Sequence, residues 1–150
     1  MTDFPILTTL LLLPAVGAVL VMFAPKGRTD VIRVLGYATT IATLGFAIFL
    51  LKEFDKADAG VQFVSHHQWM PDLGVSYSVG VDGISLFMVA LTALLFPIGL
   101  LASANEKNLK SFVVWMLLLE AALIGVFIAT DLVLFFVFFE VVLVPMYFLI

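Results

Sequence analysis

Apolar residues along this 150-residue chain come in long runs, not in the short alternations of a soluble domain. Five runs stand out, near 4–23, 34–51, 84–101, 111–129 and 132–150. Each is close to the ~20 residues that a helix needs to cross a ~30 Å hydrocarbon layer at ~1.5 Å per residue. The pattern predicts about five transmembrane helices, because a helix satisfies its backbone polar groups within one segment. One stretch departs from it. Between the second and third runs, Val75, Tyr77, Val79 and Val81 alternate with Gly74, Ser76, Ser78 and Gly80, the period-2 signature of a half-buried strand. Residues 61–69 can supply a partner strand, and Pro71-Asp72-Leu73-Gly74 the turn, proline fixing one torsion and glycine admitting a positive φ. The expected fold class is an all-α membrane protein, a single transmembrane domain over 1–150, with a β-hairpin on the outer face between helices 2 and 3. Trp69 and Tyr77 of that hairpin are expected near the membrane interface.

Within the second run, Gly36, Thr40, Thr43 and Ala47 recur at helical spacing, a stripe of small residues that lets a neighbouring helix approach closely. Pro14, Pro97 and Pro145 fall inside apolar runs, where each removes a backbone donor and favours a kink or a locally opened turn.

Composition strengthens the membrane reading. Hydrophobic residues make up 63% of the chain and charged ones 12%, against roughly 25% charged in an average soluble domain. The absence of cysteine excludes disulfides and cysteine-ligated iron-sulfur clusters in this chain. A net charge of −4 without a basic patch gives no nucleic-acid surface; the lipid bilayer is the partner that composition implies. His66 and His67 are adjacent on a predicted strand and point to opposite faces, so no metal site is expected. The start, Met1-Thr2-Asp3, lacks the basic region of a secretory signal, and the first run is expected to stay as a helix of the mature protein. Lys26, Arg28, Arg33, Lys107 and Lys110 gather on one side, and Lys52 and Lys56 on the other. By the positive-inside rule the amino terminus lies outside and residue 150 inside.

Glu120 and Glu140 are the ionisable side chains well inside apolar runs. Glu120 follows Lys110 by ten residues and Glu140 follows Asp131 by nine, which puts each ~13–15 Å from an interface, near mid-bilayer. On antiparallel neighbours joined by a turn at Thr130-Asp131, the two carboxyls come to nearly equal depth and could couple. An ionised carboxylate there costs ~2.5–3.5 kcal/mol on insertion scales, so such residues face a bundle interior or water. Burial disfavours the charged form and a nearby cation favours it, a toggle that suits a proton carrier. The competing reading is a neutral tether between helices. No lysine or arginine of this chain falls mid-run, so a partner cation must come from elsewhere. Pro145 frees the Val141 carbonyl beside Glu140, and Tyr147, seven residues on, shares the glutamate's face; together they suggest a supporting polar path. Asp82 and Asp131 precede the third and fifth helices, where capping is the expected role and a place at the outer mouth the alternative.

The stretches GVDGISLFMVALTALLFPI (80–98) and DLVLFFVFFEVVLVPMYFLI (131–150) resemble the antiporter-like, proton-pumping subunits of respiratory complex I, NADH-quinone oxidoreductase, and the M type in particular. The resemblance implies that Glu140 is the central proton-accepting group of the fifth helix, that Glu120 is its fourth-helix companion and that Asp82 belongs to the GVDG motif. It further implies a multi-pass protein of the inner (plasma) membrane, with other complex I membrane subunits, including related antiporter-like ones, as partners. NADH, FMN, iron-sulfur clusters and quinone are then expected in other subunits, and no cofactor in this chain. Multisubunit cation/proton antiporters share these helices and supply an alternative, as does a structural fragment without pumping. Whole members of the family carry many more helices, including lysines that would pair with Glu140. This stretch is therefore expected to be the amino-terminal portion of a longer subunit and not to pump alone.

Overall fold

The computed structural model describes residues 6–25, 27–54, 56–57, 60–102 and 107–149, except for the side chains at 65, 67–71 and 75. The expectations for Met1-Thr2-Asp3, Lys26 and residue 150, and for the side chains of His67 and Trp69, lie outside the described residues. Among the described residues there are five α-helices: α1 (Ile6–Met22), α2 (Thr29–Glu53), α3 (Gly83–Ala102), α4 (Leu109–Ile128) and α5 (Leu132–Leu149). α2 to α5 are long and apolar enough to cross a membrane, and α1 is a shorter apolar helix. α2 starts before its apolar run and ends after it. Hydropathy marks the stretch that suits hydrocarbon, whereas Thr29, Asp30, Lys52 and Glu53 continue the same backbone hydrogen bonding into polar surroundings. Helix runs uninterrupted through Pro14, Pro97 and Pro145.

Strands β1 (Gln62–Met70) and β2 (Val75–Val81) pair antiparallel, His66 opposite Ser78 and His67 opposite Tyr77. The link is a single 3-10 turn at Pro71–Leu73, and Gly74 takes φ +68°, the left-handed conformation that glycine adopts without steric cost. Near Phe63 the register slips, and Phe63 itself has φ +57°, the local distortion of a β-bulge.

α4 occupies the middle of the bundle, packed on α1, α2, α3, α5 and β2. Half of its apolar stretch is buried, against 17% for α5, so α4 is a core helix and α5 a peripheral one. Two apolar clusters hold the assembly. At the hairpin end, Leu10, Leu50, Val79, Val89, Ile124 and Leu134 draw on all five helices and β2. At the other end, Val21, Ile32, Leu100, Val113 and Leu117 join α1 to α4 without α5. There Lys110 donates through Nζ to the Ala24 carbonyl at 2.8 Å, tying the start of α4 to the end of α1.

Close approaches depend on small residues. Gly36, Thr40, Thr43 and Ala47 of α2 are all buried, and the threonine hydroxyls donate one turn back, Thr40 to the Gly36 carbonyl (3.1 Å) and Thr43 to the Thr39 carbonyl (2.9 Å). Their polar atoms are thereby satisfied without a partner helix. Gly125 of α4 lies against the Phe138 ring of α5, where any side chain would overlap it. Gly125→Ala is accordingly expected to cost about 1–3 kcal/mol through overpacking, and Phe138→Leu in the same chain to recover part of the loss. Gly45→Ala, at a position with open space around it, is the control that should change little. Unfolding midpoints in detergent compare the three.

Candidate functional site

α4 and α5 are antiparallel neighbours joined by a short turn at 129–131, so depth is counted from a common origin. Glu120 stands eight residues before Ile128 and Glu140 eight residues after Leu132, about 12 Å along each helix axis. The carboxyls share a depth but not an environment.

Glu120 is closed into the bundle, with 0% of its surface exposed. It belongs to the α4 face that carries Val113, Leu117, Ile124 and Ile128. The Thr43 hydroxyl of α2 stands beside the carboxyl but is directed at the Thr39 carbonyl, and neither Glu120 oxygen has a hydrogen-bond partner among the described residues. A buried polar group left unpaired costs about 1–3 kcal/mol, and more if charged.

Glu140 is exposed. α5 leans on α4 through Leu134, Phe138, Val142 and Pro145, and Glu140, two residues from Phe138, sits about 200° round the helix from that stripe. The side of α5 that it shares with Phe136 lies opposite that stripe and is exposed. The two glutamates are therefore not brought together within the described residues. Tyr147 follows the same outward face, 77% exposed, with its ring edge-on to Phe148. Pro145 does not share it. It is buried and lines an apolar cleft of about 390 Å³ between α1, α4 and α5, with Leu11, Trp115 and Ala122 among the other walls. Tyr147 and Pro145 thus occupy different sides of α5.

Asp82 and Asp131 stand at the helix starts. Asp82 accepts from the Ser85 amide (2.9 Å), the Ile84 amide (3.1 Å) and the Ser85 hydroxyl (3.0 Å). Asp131 accepts from the Val133 amide (2.9 Å) and the Leu134 amide (3.2 Å). These are N-cap geometries, which satisfy amides that a helix leaves open. The bonds hold both carboxyls below the ordinary aspartate value, with the Ser85 amide the largest cause at Asp82 and the Leu134 amide at Asp131.

One connection was not visible in the sequence. The Thr130 amide donates to the Ser78 carbonyl (2.9 Å), the Ser78 and Thr130 hydroxyls lie 2.6 Å apart, and Val79 forms an isolated β-bridge with Ala129. β2 thereby fastens onto the turn between the two glutamate helices. The hydroxyls at Ser76 and Ser78, on the polar side of an alternating strand, were its one trace. No group of three or more histidine, cysteine, aspartate or glutamate side chains that could hold a metal occurs among the described residues.

Fold and site define a multi-pass helical membrane protein with one carboxyl shut into its core and a second at the same depth on an outward face. No family model matches the chain. Curated relatives do: NADH-ubiquinone oxidoreductase chain 4 of Arabidopsis thaliana is 38% identical over 96% of this chain and 30% of its own length. The F(420)H(2) dehydrogenase subunit M of Methanosarcina mazei is 35% identical over 97% of this chain and 30% of its own length. NADH-quinone oxidoreductase subunit M of Mycobacterium tuberculosis is 33% identical over 100% of this chain and 33% of its own length. A chain of respiratory complex I from Thermus thermophilus with bound NADH superposes with a TM-score of 0.77 at 30% identity, over 93% of this chain and 27% of that one. Over nearly its whole length the chain is similar to these subunit M / chain 4 proteins, and it spans about a third of the length of the relatives it matches.

The caps have a pH signature. Their lowered values mean that each contributes fully above the ordinary aspartate value of 3.8 and loses its contribution as pH falls through its own lowered value. Amide exchange at Ser85 and Leu134 is expected to quicken below about pH 4 beyond the intrinsic rate. Asp82→Asn and Asp131→Asn, which keep a capping oxygen and cannot titrate there, should flatten that dependence.

Proposed function

We propose that this chain is part of a membrane subunit of a proton-translocating NADH-quinone oxidoreductase, in which Glu120 and Glu140 take part in proton transfer driven by electron flow from NADH to quinone in other subunits. The observation that carries the reading is the pair of carboxyls at one depth, Glu120 buried without a hydrogen-bond partner and Glu140 facing outward. Neither arrangement favours stability. An unpaired buried carboxyl costs free energy, and an ionised Glu140 facing hydrocarbon would cost ~2.5–3.5 kcal/mol or more. Groups kept at such cost in a membrane interior are read first as functional. The names and the fold of the relatives support the same role.

On this reading the outward face of α5, with Glu140 and Tyr147, lies against protein or water, not lipid. A cation approaching from there would favour ionised Glu140, and its withdrawal the protonated form. Glu120 is closed in on all sides, so proton exchange with it requires a neighbour or water to reach it. The whole subunit sits in the inner (plasma) membrane beside related antiporter-like subunits, the hairpin on the outer side with the amino terminus, and the redox groups stay in other subunits.

The test is made in the full-length subunit within its assembled complex. Glu140→Gln is expected to lower proton translocation at least about tenfold while assembly is preserved, the usual scale for losing a proton-transfer group. Difference infrared spectra during turnover should show a carboxyl band that this variant lacks. Full translocation with intact assembly would make Glu140 a tether between helices.

A further inference from the structure

We infer that Ser78 and Thr130 are positioning residues for Glu140: the contact between β2 and the α4–α5 turn fixes where α5 starts, and with it where the carboxyl sits. The inference rests on the reading of Glu140 as a proton-transfer group and adds the element that holds it in place.

α5 is the least enclosed helix of the chain. Apart from α4 it packs chiefly on β2, and it enters the apolar cluster of the hairpin end through Leu134 but has no part in the cluster at the other end. Its far end stacks Phe148 on Trp115 of α4, ring centroids 4.4 Å apart, and its hydrogen-bonded constraints lie where it begins. There the constraints are dense. The Thr130 amide is bonded to the Ser78 carbonyl, the two hydroxyls are 2.6 Å apart, Val79 bridges to Ala129, and the Ser76 hydroxyl reaches the Asp131 carboxylate at 3.4 Å while that carboxylate caps α5.

β2 is itself held from two further directions. The Tyr77 and Thr8 hydroxyls lie 2.9 Å apart, which ties the strand to α1, and its far end runs into the Asp82 cap of α3. Val79 and Val81 are fully buried beneath it. The strand works as a crossbar on the helix ends, and Ser78 and Thr130 are its joint with α5. Glu140 lies ten residues beyond Thr130, about 15 Å from that joint along a stiff helix, so a tilt or slip at Thr130 is carried to the carboxyl almost undiminished. Proton transfer is sensitive to such shifts: a displacement near 1 Å can cost about 100-fold in rate.

The experiment uses the full-length subunit in its complex. Thr130→Val keeps the side-chain shape and removes the hydroxyl, Thr130→Ser keeps the hydroxyl, and Ser78→Ala removes its partner. The expected result is that Thr130→Val and Ser78→Ala shift the Glu140 carboxyl infrared band and lower proton translocation at least about tenfold, whereas Thr130→Ser stays near the parent. A second readout is independent of proton transfer. With Glu140→Cys as background, reaction of the thiol with a membrane-permeant reagent should change in rate on adding Thr130→Val and return with Thr130→Ser. An unchanged thiol rate overturns the positioning role, whatever Glu140 does. A changed rate with translocation insensitive to Glu140→Gln upholds the joint and overturns the proton-transfer reading instead. Failure of both Thr130→Val and Ser78→Ala to assemble would make the contact a folding requirement, and the positioning role would fall.

Discussion

The packing of α4 is the constraint on which the rest of the structure depends. A helix touched on several sides cannot afford large side chains on all of them, and α4 meets its neighbours through Ala121, Ala122 and Gly125 as well as through leucine and valine. Gly125 admits the Phe138 ring, which sets how closely α5 lies. On another side α4 meets the threonine stripe of α2, whose hydroxyls are occupied within their own helix. The result is a tight, largely apolar enclosure with one ionisable group inside it. Neither Glu120 oxygen has a hydrogen-bond partner among the described residues, since the Thr43 hydroxyl beside it donates within its own helix.

That enclosure also explains why the two glutamates differ although their depths match. Depth follows from the short turn at 129–131, which makes α4 and α5 count from one origin. Environment follows from azimuth. α5 has a single packed stripe, and Glu140 lies off it. One carboxyl is consequently governed by the chain around it and the other by whatever covers the outward face of α5.

Much of this was legible in the sequence, and what was not has physical causes. Helices were readable because lipid leaves the backbone few alternatives, and apolar length then locates them; α2 was underestimated since polar residues can extend a helix beyond the hydrocarbon. The hairpin was readable from the alternation at 74–81 and from Gly74, whose positive φ the turn requires. Rotation about the helix axis was harder. Nearly every position of α5 is apolar, so no amphipathic contrast marks its packed side, and nothing in the sequence showed that Glu140 and Tyr147 turn outward while Pro145 turns in. The bond between Ser78 and Thr130 joins residues 52 apart, a separation across which local patterns carry no information.

The hairpin consequently has a larger place in the molecule than a surface ornament would. Apolar packing between helices is non-directional; for α5 it sets the closeness to α4, through Phe138 on Gly125 and the Phe148 ring on Trp115. Hydrogen bonds are directional, and at the hairpin end the polar surroundings of the helix termini supply them: Asp131 caps α5, Thr130 joins β2, Tyr77 meets Thr8 and Asp82 caps α3. Four helices are thereby indexed to one short strand. Directional bonding at the edge of the membrane does what apolar packing within it cannot, which is to give carboxyls at mid-span a defined position.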